Sequence, residues 1–391
     1  MEMNTVVQKV KRDMCVGCSA CDNICPTGAL SMQPDRAGFL YPQLEEAKCI
    51  SCGRCLAVCP ALHHWDFVSC ERLPEPSAQA AWSKDREIRM ESTSGGVFSE
   101  VAKTFFQMGG YVVGARYDEA FLVEHYVGES VEDISLLRQS KYIQSDKKDV
   151  FKKIRSLLKA EKMVLFVGAP CEVAGLYGFL GKMYDNLYTM DFICLGANAP
   201  RIYVRFLEMI EEVHGSKVSR VWFKNKTYGW HRFSTCVELQ NGASYLRDRD
   251  HDYFMRGYIG KSKLYIRPVC SHCRYKEIPR IGDMTLGDFW GIELLRPELD
   301  EDKGTSAVML NSEKGKKLFE RASEALHRAD MTWRDIAAGN PALLNSVPVD
   351  PRQEQFFDDL ERMRFDQLIE KYAPMSWRRK IKDILLYVMG R

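Results

Sequence analysis

Cys15-Val-Gly-Cys18-Ser-Ala-Cys21-Asp-Asn-Ile-Cys25-Pro26 and Cys49-Ile-Ser-Cys52-Gly-Arg-Cys55-Leu-Ala-Val-Cys59-Pro60 are two copies of one pattern. Each reads C-x2-C-x2-C-x3-C-P, the spacing of half a bacterial-type two-cluster ferredoxin. Three cysteines at intervals of three let one tight loop present three thiolates to one face of an iron–sulfur cube. The fourth lies too far along to close the same cube and reaches across to the other cluster. The expected ligand sets are Cys15, Cys18, Cys21 and Cys59 for one 4Fe-4S cluster, and Cys49, Cys52, Cys55 and Cys25 for the second. Pro26 and Pro60 turn the chain just after each fourth ligand. Zinc sites usually take two CxxC pairs with a longer separation, not runs of four. Disulfides need an oxidising compartment, and residues 1–10 contain no apolar core of signal-peptide length.

Outward from this repeat, 391 residues suffice for two or three domains with real cores. A net charge of +2, with lysines and arginines spread along the chain, argues against a nucleic-acid partner. No stretch approaches the roughly 20 apolar residues of a membrane-spanning helix. The chain is therefore expected in the cytoplasm, where fourteen cysteines point to metal or redox use.

The cysteine repeat occupies roughly residues 5–66, with extended segments flanking each loop. Glu71-Arg-Leu-Pro74-Glu-Pro76-Ser-Ala reads as a linker. Beyond it, Gly95 to Gln107 and Asp149 to Leu158 have helical periodicity, while Gly110 to Ala115 and Phe121 to Tyr126 alternate as strands. Met163 to Val167 and Leu187 to Cys194 read as buried strands, each followed by a helix, which implies a parallel sheet. Val218 to Phe223 and Thr235 to Leu239 form a β insertion, with Asn241-Gly242 as its hairpin turn. One more strand and helix are expected at Ser306 to Leu310 and Lys314 to Ala325, and a helical tail from Gln353. The fold class expected is an α+β ferredoxin-like two-cluster domain followed by an α/β body with a partly parallel sheet and a β insertion.

Six cysteines lie outside the repeat. Cys171 and Cys194 each stand at the end of an expected parallel strand, and Cys270 and Cys273 form a CxxC. Ligands of open α/β sheets gather outside the carboxyl ends of strands. These four can supply the thiolates of a third 4Fe-4S cluster; the plainer alternative is two small buried side chains and a zinc-binding or idle CxxC. Cys70 and Cys236 are read as non-ligands.

Several segments carry a family likeness: Ser92-Thr-Ser-Gly-Gly-Val-Phe-Ser99, Arg138-Gln-Ser-Lys-Tyr-Ile-Gln-Ser145, Gly168-Ala-Pro-Cys171, Cys270-Ser-His-Cys273 and Met284-Thr-Leu-Gly-Asp-Phe-Trp-Gly291. In their order the chain resembles the coenzyme F(420) hydrogenase/dehydrogenase beta-subunit family, with a fused N-terminal ferredoxin domain. It departs from the family pattern at Gln139, Ala169 and Leu195. The resemblance implies a flavin-dependent iron–sulfur oxidoreductase with FAD and a cluster in the α/β region. Ser94, Gly95 and Gly96 precede a helix whose N-terminus can face a pyrophosphate, or they are simply its cap. Lys141 and Tyr142 are candidates beside the flavin ring, as are Gly287 and Asp288; the plainer reading is an exposed lysine, a half-buried tyrosine and a core strand. No catalytic residue is assigned. His231, His251 and His272 stand at no telling spacing from a carboxylate or nucleophile and read as ordinary polar residues.

The expected divisions are a two-cluster domain at 1–70, a linker at 71–81, the two parts of the oxidoreductase region at 82–158 and 159–340, and a helical tail at 341–391. Electrons would pass between a hydride-type substrate at FAD and a redox protein partner. The main rival is a non-catalytic electron-transfer subunit of a larger redox complex; a third is a redox-sensing protein without turnover. Residues 377–389, basic and apolar by turns, read as a helix packed on the body or a partner, with peripheral membrane contact as the alternative.

Overall fold

A computed structural model describes residues 4–260, 263–377, 379 and 381. The expectation for residues 377–389 therefore lies, but for three of them, outside the described residues. In the N-terminal region, β1 (Leu30–Pro34) and β2 (Leu40–Leu44) form an antiparallel hairpin pairing Leu30 with Leu44. The two cysteine loops repeat in backbone geometry as well as in spacing. Gly17 (φ 69°) and Ser19 (φ 64°) are left-handed on either side of Cys18. Ser51 (φ 52°) and Gly53 (φ 70°) are left-handed at the equivalent positions beside Cys52. Such values are uncommon outside glycine, so each loop is held in a defined twist.

The body is built on an eight-stranded sheet and a separate three-stranded one. The large sheet begins with β3 (Ser77–Ser83), β4 (Tyr111–Tyr117), β5 (Val123–Gly128), β6 (Val164–Val167) and β7 (Leu187–Phe192). The chain then leaves it for the antiparallel strands β8 (Val218–Asn225), β9 (Ser234–Leu239) and β10 (Ser244–Asp248), the last two joined through a left-handed Gly242 at φ 83°. It returns with β11 (Met284–Asp288), β12 (Ser306–Leu310) and β13 (Leu326–Met331), giving the order β13-β3-β12-β11-β7-β6-β4-β5. Strands β11, β7, β6 and β4 are parallel, and the flanking pairs are antiparallel. The short apolar run Val-Leu-Phe-Val of β6 is what a strand covered on both faces requires.

The longer helices are α1 (Val97–Gln107), α2 (Val150–Lys159), α3 (Pro170–Leu180), α4 (Pro200–His214), α5 (Tyr253–Ile259), α6 (Glu313–Ala322), α7 (Trp333–Gly339), α8 (Gln353–Leu360) and α9 (Phe365–Tyr372). Helix α3 opens with Pro170 in its first turn, and Glu172 reaches back to accept from the Ala169 N–H at 2.8 Å. Among the described residues, no helix is long and apolar enough to cross a membrane.

Residues 71–81 differ from the expected linker. Arg72 is buried, pairs with Asp283 at 2.9 Å and donates to the Tyr177 hydroxyl at 2.9 Å. Ser77–Ser83 is β3, inside the sheet between β12 and β13. Its sequence, Ser-Ala-Gln-Ala-Ala-Trp-Ser, has no β-branched residue, so local propensity hides a strand that its neighbours impose. Nor is the N-terminal region a separate bead. Cys18, Ala20 and Val58 share one apolar core with Phe151, Val173 and Tyr177 of the body, while Phe39 and Tyr41 join another with Ile202, Tyr203 and Phe206 of α4.

Candidate metal centres and cofactor cavity

Cys15, Cys18, Cys21 and Cys59 come within electrostatic reach of one another. Burial pushes the Cys18 thiol up to about 12, with Cys59 and Cys15 adding to it. Burial raises Cys21 well above the ordinary thiol range, reinforced by Cys18, Cys15 and Cys59. Cys59 rises to about 11, chiefly through burial. Four sulfurs this close, those of Cys18, Cys21 and Cys59 in buried residues, are costly as bare thiolates and suit a cationic centre among them. Arg267, which is 1% exposed, supports this quartet: it donates to the Cys15 carbonyl at 2.8 Å, approaches Cys15 Sγ at 3.7 Å and lies 4.0 Å over the Tyr41 ring.

Cys25, Cys49, Cys52 and Cys55 line one small cavity of about 20 Å³ at the opposite end of the repeat. Here Cys52 is exposed, and Ile50 beside it is 64% exposed. At Cys25 a small burial penalty is outweighed by hydrogen bonds from Leu30, Thr27 and Ala29, so its thiol is lowered. Cys15, Cys18, Cys21 and Cys59 thus form an inner group against the body, and Cys25, Cys49, Cys52 and Cys55 an outer group whose Cys52 is exposed. All fourteen cysteines are free. Among the described residues, no group of three or more His, Cys, Asp or Glu converges as a single-ion site does. Cluster ligands differ in this respect, because each binds a different iron of the cube.

A further quartet assembles in the body. Cys171 lies in the first turn of α3, Cys194 follows β7, Cys270 lies within the short turn Pro268–His272, and Cys273 directly follows it. Cys171 is raised well above the ordinary range by burial, then by Glu172 and by Cys273, Cys194 and Cys270. Burial, with Cys194 and Cys273, pushes Cys270 up to about 12. The buried phenol of Tyr275 is raised by burial and then by Cys171 and Cys18, so it stands between this quartet and the inner one. Helix α3 joins the same two places. Gly175 is one turn on from Cys171, and a Cβ there would stand 2.5 Å from Cys18 Cβ and 2.8 Å from its Sγ. Cys70 is exposed and Cys236 lies in β9, both apart from these groups.

Beside the body quartet opens a cavity of about 970 Å³, lined among others by Tyr142, Leu195, Lys224, Arg256, Tyr258 and Trp290. Its wall is shared with the cysteines. Leu195 adjoins Cys194, and the Tyr258 phenol is raised by burial and then by Cys194. Lys224 forms a buried ion pair with Asp288, whose other oxygen accepts from Trp230 Nε1 at 3.1 Å. Burial alone would lower the Lys224 ammonium; Asp288 more than offsets it and the group is raised. Trp290 stacks on Trp230 at 4.6 Å and 7°, with Lys224 Nζ 4.6 Å from its ring centre.

Of the flavin candidates, Tyr142 lines this cavity and Asp288 holds the lysine that lines it. The others serve packing. Ser94 Oγ donates to the Thr305 carbonyl at 2.8 Å, and the Gly95 N–H donates to Ser306 Oγ at 2.9 Å. A Cβ on Gly95 would collide with the Ala81 carbonyl of β3, and Gly96 is the left-handed residue (φ 89°) that starts α1. Gly287 lets Ile193 approach, where a Cβ would stand 2.8 Å from its Cδ1. Lys141 caps the helical turn before it, donating to the Leu136, Leu137 and Arg138 carbonyls, and burial lowers its ammonium to about 7. Sequence reasoning missed Lys224, Arg256 and Tyr258, which no local motif marks. It also missed the carboxylate partners of two histidines: His231 meets Asp300 at 2.8 Å and His251 meets Asp248 at 2.6 Å. His272 contacts the Asp13 carbonyl at 3.0 Å.

Two tandem cysteine quartets docked on a mixed sheet define an iron–sulfur electron-transfer protein. Residues 14–62 match the 4Fe-4S dicluster domain, and residues 161–331 match the C terminus of the coenzyme F420 hydrogenase/dehydrogenase beta subunit. The chain thus joins a 4Fe-4S dicluster domain to the C-terminal domain of that beta-subunit family. It is similar to a subunit of the F(420)H(2) dehydrogenase of Methanosarcina mazei, 26% identical over 176 residues. That match covers 43% of this chain and 49% of the relative, so it spans about half of the relative's length. A 46-residue segment is 37% identical to a subunit of the ion-translocating oxidoreductase complex of Methanosarcina acetivorans, covering 12% of this chain and 16% of that protein. A chain from the F420-reducing NiFe hydrogenase complex of Methanosarcina barkeri aligns with a TM-score of 0.44 and 16% identity, over 77% of this chain and 92% of that one.

Proposed function

We propose that the chain is a flavin-linked iron–sulfur oxidoreductase that passes electrons between a hydride-type substrate and a redox protein partner. The shared wall between the 970 Å³ cavity and the body quartet carries this reading. The cavity's size suits a dinucleotide cofactor, at the upper end of ligand pockets. Its lining fits FAD in kind: Tyr142, Tyr258 and Trp290 offer aromatic faces, while Lys224, paired with Asp288, and Arg256, paired with Glu370, place cations in the wall. FAD would supply the conversion between two-electron hydride chemistry and one-electron transfer. Around it, Asp288 and the Trp290–Trp230 stack fix the position of Lys224, and Leu195 with Tyr258 separates the cavity from Cys194. Cys171, Cys194, Cys270 and Cys273 would hold a third 4Fe-4S cluster; the crossed N-terminal sets would hold the other two. The outer set, with exposed Cys52, suits exchange with a protein partner.

Anaerobic purification, cofactor extraction and iron counting test this. FAD with about 12 irons is expected. About 8 irons without flavin would contradict it and favour a non-catalytic electron-transfer subunit.

A further inference from the structure

Between the inner quartet and the body quartet lies a buried ion pair that cofactor binding does not require. Glu172 directly follows Cys171, and one carboxylate oxygen is held by the Ala169 N–H at 2.8 Å. The other meets Lys147 Nζ, whose side chain is 1% exposed and also donates to the Ser145 carbonyl at 2.8 Å. The lysine arrives from the segment 144–148, which docks on the inner cysteine loop at both sides. Gln144 reaches the Gly17 carbonyl at 3.3 Å, and Asn23 donates to the Lys148 carbonyl at 2.7 Å. The pair therefore has a direction: its carboxylate belongs to the residue beside Cys171, and its ammonium to the segment that docks on the loop of Cys18.

We propose that Glu172 and Lys147 are positioning residues for electron transfer, a fixed dipole that lowers the reduction potential at the Cys171 quartet and raises it at the Cys18 quartet. This rests on the three-cluster reading above. A neighbouring anion disfavours the added electron and a neighbouring cation favours it, most strongly where water is excluded. One electron is given up at the Cys171 quartet and taken up at the Cys18 quartet. No bond forms or breaks and no proton moves, and the favoured direction is outward from the body. His125 packs 3.8 Å from Glu172 but adds no cation at neutral pH, since burial takes it down to about 4. Lys276, near Cys194, opposes Glu172 and serves as the counter-test.

The experiment is an EPR-monitored redox titration of the anaerobic, fully loaded protein. Lys147→Met is expected to lower one N-terminal cluster's midpoint by roughly a tenfold change in its reduction equilibrium, 59 mV for one electron. Glu172→Gln should raise the body cluster's midpoint, Lys276→Met should lower it, and Lys147→Arg should restore the parent value. The cluster lost in Cys52→Ser is the internal control and should not move. Because each single variant strands a buried charge, Lys147→Met/Glu172→Gln is included; its two midpoints should converge. Unmoved midpoints, or a double variant whose two midpoints shift in the same direction, would overturn the proposal. Iron counting on Cys171→Ser keeps the claims apart: loss of about four irons supports the third cluster, and no loss overturns that reading and the donor half of this one.

Discussion

The inner and outer cysteine loops are built on one pattern, yet they live in different surroundings. In the inner loop, Gly17, Cys18, Ser19 and Ala20 are all buried; in the outer loop, Ser51 and Cys52 are exposed. The repeat position before the second cysteine shows why. A Cβ on Gly17 would collide with Gln144 and stand 2.8 Å from Arg267 Nη1, so the body's arrival demands glycine. The outer equivalent, Ser51, carries a side chain at the same left-handed twist because nothing packs over it. The inverse holds after that cysteine, where Gly53 has open space around it. A symmetric motif has thus been made into a directed one: one half is grafted onto the α/β body, and the other is left facing outward.

That asymmetry can be broken at several strengths. The largest effect is expected from Cys21→Ser against Cys52→Ser. Each should lose about four irons. Cys21, buried in the repeat's own small core with Cys55 and Cys59, should also lower the thermal midpoint of the whole chain, whereas Cys52→Ser should leave the body's transition in place. Calorimetry with iron analysis reads both. Next, a chelator applied to the reduced protein should remove iron in two phases, the exposed Cys52 cluster going first; simultaneous loss would erase the comparison. The smallest effect distinguishes the loops without touching a ligand. Gly17→Ser imports the outer residue into the inner loop and should cost about 1–3 kcal/mol by overpacking. Ser51→Gly should stay within about 0.5 kcal/mol, as surface changes do. Denaturant unfolding of the two variants measures the difference.

The eight repeat cysteines stood out in the sequence because the first three of each run are local neighbours; the fourth, Cys25 or Cys59, joins the other run only through the fold. The body quartet was half legible. Two strand ends and a CxxC are visible in sequence, but their convergence depends on β6 and β7 being neighbours and on the turn at Pro268–His272 folding back over them. β3 was not legible, since a run of alanines and serines acquires strand character only between β12 and β13. The cavity was legible at Tyr142 and Asp288 alone. Lys224 and Trp290 reach it from a strand of the insertion and the turn after β11, and residues 373–376 with Arg379 line another side, so no window of sequence contains it. Lys147 and Glu172 likewise lie 25 residues apart and meet only in the folded chain.

The most direct test is an iron-edge anomalous difference map from crystals grown and frozen without oxygen. Three peaks are expected: one enclosed by Cys15, Cys18, Cys21 and Cys59, one by Cys25, Cys49, Cys52 and Cys55, and one by Cys171, Cys194, Cys270 and Cys273. Peaks that pair Cys25 with Cys15, Cys18 and Cys21, or a body quartet without iron, would contradict the inward-and-outward arrangement on which the account depends.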